Sequence, residues 1–264
     1  MDRSATARPE GARAFSIIEV LVVIGVLFVL VGIALPLLSR SVSKARGVGS
    51  LSRARQMGLA VSDFAAGHKD EVPVLFAPKY ALAYEEQEQI PLLGRVLRGN
   101  WFDNRGRYHN ALPDYLPADV LAEPECEFDQ FPTRSGTVTS LATNYHLAGT
   151  FYAEPAFFNL PTQRGPEQWR AQKLGAVAFP SLKGMIRQSM VFSESGWRQG
   201  FPACCTGDVK SAIIWADLSG TMDVQGNLRP GVPNFWGSTS GPLTYLDTGI
   251  PIDATQDGNL GRDK

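Results

Sequence analysis

Glu19 is the only charged residue in the 24-residue stretch from Phe15 to Leu38. That stretch is long enough to cross a bilayer, since about 20 apolar residues do so as a helix. It exceeds the apolar core of a cleaved secretory signal, about 7–15 residues, and no small-residue cleavage site follows it. A carboxylate at the centre of a membrane costs about 2.5–3.5 kcal/mol on insertion scales, and less near the edge. Glu19 therefore calls for a partner.

The residues around Glu19 carry a resemblance. The segment Ala14-Phe15-Ser16-Ile17-Ile18-Glu19-Val20, after a hydrophilic stretch from Met1 to Ala14, resembles the N-terminus of type IV prepilin-like proteins. These are the pilins and the type II secretion pseudopilins. The resemblance implies cleavage between Ala14 and Phe15 by a prepilin peptidase, N-methylation of Phe15, and Glu19 at the fifth mature position. The family usually has Gly before the cut, where this chain has the small residue Ala14. Pro36 stands where pilins often carry a helix-kinking proline.

In the family, the glutamate pairs with the freed N-terminal amine of a neighbouring subunit during assembly. The electrostatics agree with that role. An α-amino group has a reference pKa of about 7.7–8.0 and is mostly protonated at neutral pH. Two unit charges about 4 Å apart attract by about 4 kcal/mol at an effective dielectric near 20. That is comparable to the insertion penalty. The resemblance further implies homologous subunits and an inner-membrane assembly platform as partners. It implies a single pass through the bacterial inner membrane, with the head periplasmic or extracellular in the filament. It implies a structural protein and not an enzyme. The basic residues point the other way: Arg3, Arg8 and Arg13 precede the span, while Arg40, Lys44, Arg46, Arg53 and Arg55 follow it. Alone, the positive-inside rule would leave the head in the cytoplasm. The rival class is a single-pass membrane protein with a ligand-binding or enzymatic head that never polymerises.

Beyond the span, Leu51, Ala54, Met57, Gly58, Val61 and Ala65 recur at helical spacing. The helix is expected to continue to Ala66-Gly67, with Pro73 beyond it. Pro36 removes a backbone donor, so a kink or local melting is expected near Gly32. The chain thus divides into a leader (1–14), a membrane and assembly helix (15–38), an amphipathic continuation (39–66) and a head (67–264). The fold class is α+β, a long N-terminal helix packed on an antiparallel, loop-rich β head.

Within the head, Ser211–Asp217 and Thr221–Gln225 read as strands joined by a turn at Leu218-Ser219-Gly220. Met190–Phe192 and Val177–Phe179 are further strand candidates. Tyr84–Arg98 is expected to form a short helix and Pro113–Val120 a turn, with no strand assigned between Pro73 and Thr139. Arg55-Gln56-Met57-Gly58 and Val72-Pro73 resemble a pseudopilin-like branch. Its other landmarks are met in part, at Cys126, Asn144-Tyr145, Ser193-Glu194-Ser195 and Trp215–Gly220.

A net charge of −1 argues against a nucleic-acid partner. An external head would permit one disulfide, Cys126 with Cys204 or Cys205, leaving one thiol over. His68, His109 and His146 are far apart in sequence and form no metal or triad motif. Trp101–Tyr108 interleaves aromatic and basic residues, as a binding loop or as a loop packing its own rings. The tail residues Asp247, Asp253, Asp257, Asn259 and Asp263 are hard oxygen donors suited to Ca²⁺. Asp253 and Asp257 are the calcium candidates, set against a solvated flexible tail.

Overall fold

The computed structural model describes residues 17–78, 88–92, 95–99, 101–116, 143–188, 190–191, 201–202, 210–232 and 251–264. The chain divides into two units, residues 1–46 and residues 47–264. One helix, α1, runs from Ile17 to Gly67. The expected melting near Gly32 does not occur, because every residue through Pro36 is helical. Proline loses one bond here, whereas ending the helix inside an apolar stretch would strand several backbone groups where no water can satisfy them. In the first unit, the apolar side chains from Ile17 to Leu38 are exposed on every face.

The second unit has a different logic. Of the expected stripe, Ala54, Met57, Gly58, Val61 and Ala65 are buried and Leu51 is half-buried; Ala60 is buried beside them. They cover a four-stranded antiparallel sheet in the order β3-β4-β7-β8. Its strands are β3 (Tyr145–Leu147), β4 (Gly184–Gln188), β7 (Lys210–Trp215) and β8 (Gly220–Val224). The β7–β8 hairpin turns as its sequence predicts. Leu218 takes φ 65°, and the Asp217 carboxylate accepts hydrogen bonds from the Ser219 amide at 2.9 Å and hydroxyl at 2.6 Å. Two small ladders lie outside this sheet, β1 (Glu88–Leu92) with β2 (Arg95–Gly99), and β5 (Met190–Val191) with β6 (Phe201–Pro202).

Helix and sheet meet closely at Gly58. A Cβ at this position would lie 3.1 Å from Ile214 and 3.2 Å from Met185. Nearby, the Ser50 hydroxyl donates to Gln188 Oε1 at 2.9 Å and lies 3.0 Å from the Tyr145 hydroxyl. The helix therefore docks through both small-residue packing and a buried polar contact.

Four expectations are corrected. Glu88–Leu92 and Arg95–Gly99 pair as antiparallel strands and do not continue the helix expected over Tyr84–Arg98, so they place strands within the stretch after Pro73. Pro91 would have removed a donor from the middle of that helix, whereas a two-stranded ladder accommodates it at its pairing with Val96. Val177–Phe179 is not a strand. The Val177 amide bonds locally to the Leu174 carbonyl at 3.2 Å, and Pro180 follows Phe179. Trp101–Tyr108 is no exposed loop: two 3₁₀ turns (Trp101–Asp103 and Tyr108–Ala111) flank the short helix α2 (Asn104–Arg107), and Trp101, Phe102 and Tyr108 are core residues. The tail from Pro251 is not a solvated chain either, since Ile252, Asp253, Ala254, Thr255 and Asp263 are all buried. The Pro113–Val120 turn is present over residues 113–116, and its remainder lies outside the described residues.

Filling the contact at Gly58 should separate helix from sheet. Gly58→Leu is expected to destabilise the head by about 1–3 kcal/mol through overpacking, read as a lower midpoint in urea unfolding of the detergent-solubilised chain.

Candidate assembly helix and buried charge clusters

Two places carry the chemistry of this chain. The first is the exposed apolar stretch of α1. Ile17–Leu38 is the one helix among the described residues long and apolar enough to cross a membrane. Glu19 lies in its first turn and Pro36 within it. Ala14 and Phe15 lie outside the described residues, as do Cys126, Cys204 and Cys205. The cleavage site, the methylation site and the disulfide alternatives therefore have no geometry here.

The second place is where the C-terminal segment meets β4. Asp253 is fully buried and ion-paired with Arg187 and, at 3.2 Å, with Arg105. Its other oxygen accepts the Gly149 amide at 3.1 Å. Burial alone would push this carboxyl up. The guanidinium groups of Arg187 and Arg105 outweigh that and hold it well below the usual carboxylate range. Ten residues on, Asp263 is buried against Lys183 at 3.0 Å and accepts the Gly184 amide at 2.8 Å and the Thr255 hydroxyl. Burial pulls the Lys183 ammonium down, and Asp263 opposes it. Lys183 also donates to the Ile252 carbonyl at 3.3 Å. Two carboxylates on one short segment thus grip two bases on and just before one strand.

The two calcium candidates lie in different surroundings. The oxygens of Asp253 face guanidinium groups and an amide. Asp257 is exposed and accepts Asn159 Nδ2 at 3.3 Å, so the two candidates serve separate contacts. No group of three or more metal-ligating side chains gathers among the described residues.

His109 and His146 lie near these charges. His146, in β3, is pushed down to about 3 by burial of its ring and then by Arg187 and Arg105. His109 is pushed down to about 4 by burial and by Arg107. His68 is exposed, its Nδ1 lying 2.7 Å from the Phe64 carbonyl and its ring stacked on Phe64. The three histidines serve different surroundings, and no shared catalytic arrangement forms from them.

Sequence reasoning did not find the pairings of Lys183, Arg187 and Arg105. A signal existed in Lys183 and Arg187, two bases four residues apart around the apolar Met185-Ile186. What hid their role is a register shift in β4 between Gly184 and Ile186. Gly184 and Arg187 meet the C-terminal segment, while Met185 and Gln188 meet the helix. Strict alternation would have assigned these side chains differently.

No family model, no curated protein and no solved structure matches this chain.

Two outcomes follow from these clusters. Asp253→Ala removes a buried carboxylate that pairs with both Arg187 and Arg105, and should cost about 3–5 kcal/mol. Glu154→Ala, which breaks the largely exposed pair with Arg170, should cost no more than about 1 kcal/mol. Urea unfolding of both variants distinguishes the two cases. The histidines set the acid limb. Both take up protons less readily folded than unfolded, so stability falls as pH drops below about 6.5, the unfolded value. The loss continues down to about 4 for His109 and about 3 for His146. Its slope is about 1.4 kcal/mol per pH unit for each histidine. His146→Gln should flatten the curve in that window, measured as unfolding midpoint against pH. Asp253, whose folded carboxyl is depressed, adds its own loss only below the unfolded carboxylate range of about 3.9.

Proposed function

We propose that this chain is a structural subunit of a type IV pilus or a type II secretion pseudopilus, cleaved after Ala14 and N-methylated on Phe15. It assembles through packing of its N-terminal helices. The observation that carries this reading is Glu19, the only charged residue between Phe15 and Leu38, in the first turn of a helix whose apolar side chains to Leu38 are exposed on every face. In water such a surface drives association, and in lipid it is at home. The acid within it is stabilised when a neighbouring subunit brings the protonated Phe15 amine alongside. Apolar packing then supplies cohesion, and the Glu19–amine pair supplies axial register.

The head supports a specialised or minor position in the filament. It is large and rich in irregular segments, and bulky heads restrict dense helical packing. The alternative is a single-pass membrane protein that does not polymerise, and the excess of basic residues after the span favours it. The two readings differ in what happens to the leader.

The decisive measurement is the mass of the mature N-terminus from cells with an active prepilin peptidase. N-methylated Phe15 is the expected result, and an intact Met1–Ala14 leader sinks the proposal. A second test separates insertion from assembly. Glu19→Ala should fractionate with the membrane as the unaltered chain does but fail to enter sheared filaments. Filaments in normal yield from that variant would refute the pairing.

A further inference from the structure

We propose that the cleft between Phe179 and the Thr255–Gly261 loop binds a small organic oxyanion, a carboxylate or phosphate carried on an apolar, ring-sized body. The cleft has a volume of about 300 Å³. That is the low end of small-molecule sites and fits one ring with one charged group. One part of its wall is apolar, with Phe179, Pro230 and Leu260 lining it. Phe179 and Leu260 are 41% and 44% exposed, so both offer apolar surface to a ligand in the cleft. The charged part of the wall is Arg229 and Arg262. Neither has a carboxylate within 4.0 Å among the described residues, and the Arg262 guanidinium stands 4.9 Å from the centre of the Phe179 ring.

Asp257 is the one acid in the lining, so the cleft carries two positive charges against one negative. Its carboxylate accepts the Asn159 amide at 3.3 Å. A guanidinium presents paired N–H donors that match the two oxygens of a carboxylate or phosphate, and an aromatic face beside it accepts a flat apolar body. The loop is already held in shape. Gly258 takes φ 59°, and a Cβ on Gly261 would run into the Gln256 carbonyl. Thr255 is anchored from below by Lys183 and Asp263, the buried cluster that ties the C-terminal segment to β4. A pre-shaped cleft of this kind loses little ordering entropy when a ligand enters.

The test is isothermal titration of the full chain in detergent micelles with phenyl phosphate, benzoate, inorganic phosphate and phenol. Phenyl phosphate or benzoate should bind, and the tighter of the two identifies the oxyanion preferred. Inorganic phosphate lacks the apolar body and phenol lacks the charge, so both should bind about tenfold more weakly or not at all. Arg229→Ala and Arg262→Ala should each weaken the organic anion by about tenfold, and Arg262→Lys should restore only part of the loss. Asp257→Asn should shift affinity in the opposite direction, tightening it. An unchanged unfolding midpoint in each variant shows that the fold is intact. No binding by either organic anion overturns the proposal. So does equal affinity in the unaltered chain and both arginine-to-alanine variants, or phenol binding as tightly as phenyl phosphate.

Discussion

Arg187 and Lys183 are bases taken almost wholly out of water, and each is ion-paired with a carboxylate of the C-terminal segment. Asp253 neutralises the first and Asp263 the second. Desolvating an ion costs several kcal/mol even after relaxation, so each partner needs the other in place. β4, which carries Arg187, is a central strand of the sheet, paired with β3 on one side and β7 on the other. The same strand reaches the helix through Met185 and Gln188. Helix, sheet and C-terminal segment are therefore coupled through one five-residue strand. Buried ion pairs of this kind add little net stability over apolar packing, but they strongly penalise any arrangement that separates the partners. Their contribution is to specify where residues 251–264 must lie.

The two units of the chain obey different solvents. Gly47–Lys264 buries its apolar side chains against one another in the ordinary way, with Phe151, Tyr152, Phe157 and Phe158 among the least exposed. Ile17–Leu38 buries none of its own, so its stability is a matter for lipid or for other chains. That contrast is why the proposed role lies in assembly through the helix, with the head free to carry separate binding properties. The cleft at Phe179 belongs to the head and is chemically independent of Glu19.

How much was legible depended on how local the cause was. The helix, its buried stripe from Ala54 to Ala65 and the β7–β8 hairpin follow from periodicity and turn chemistry within a few residues, and they stand in the structure. The expected helix over Tyr84–Arg98 fails because its charge-rich sequence hides both Pro91 and the antiparallel pairing of Glu88–Leu92 with Arg95–Gly99. Trp101–Tyr108 read as a surface loop because its charges are visible in sequence and its neighbours are not. In the fold, the Asn104 side chain accepts the amides of Leu75 and Phe76 and donates to the carbonyls of Phe76 and Trp101. Those four bonds draw the aromatic residues into the core.

From residue order alone came the membrane-length helix, the isolated acid near its start, the amphipathic continuation and the α+β class. These rest on composition and on periods of 2 and 3.6 residues, which are properties of the chain itself. Only the tertiary structure decided that Asp253 and Asp263 face buried bases, that the β4 register shift redirects Arg187, and that Phe179, Arg229 and Arg262 surround one cleft. The reason is distance along the chain. Asp253 and Arg187 are 66 residues apart, and a side chain's charge does not reveal which remote partner will be folded against it.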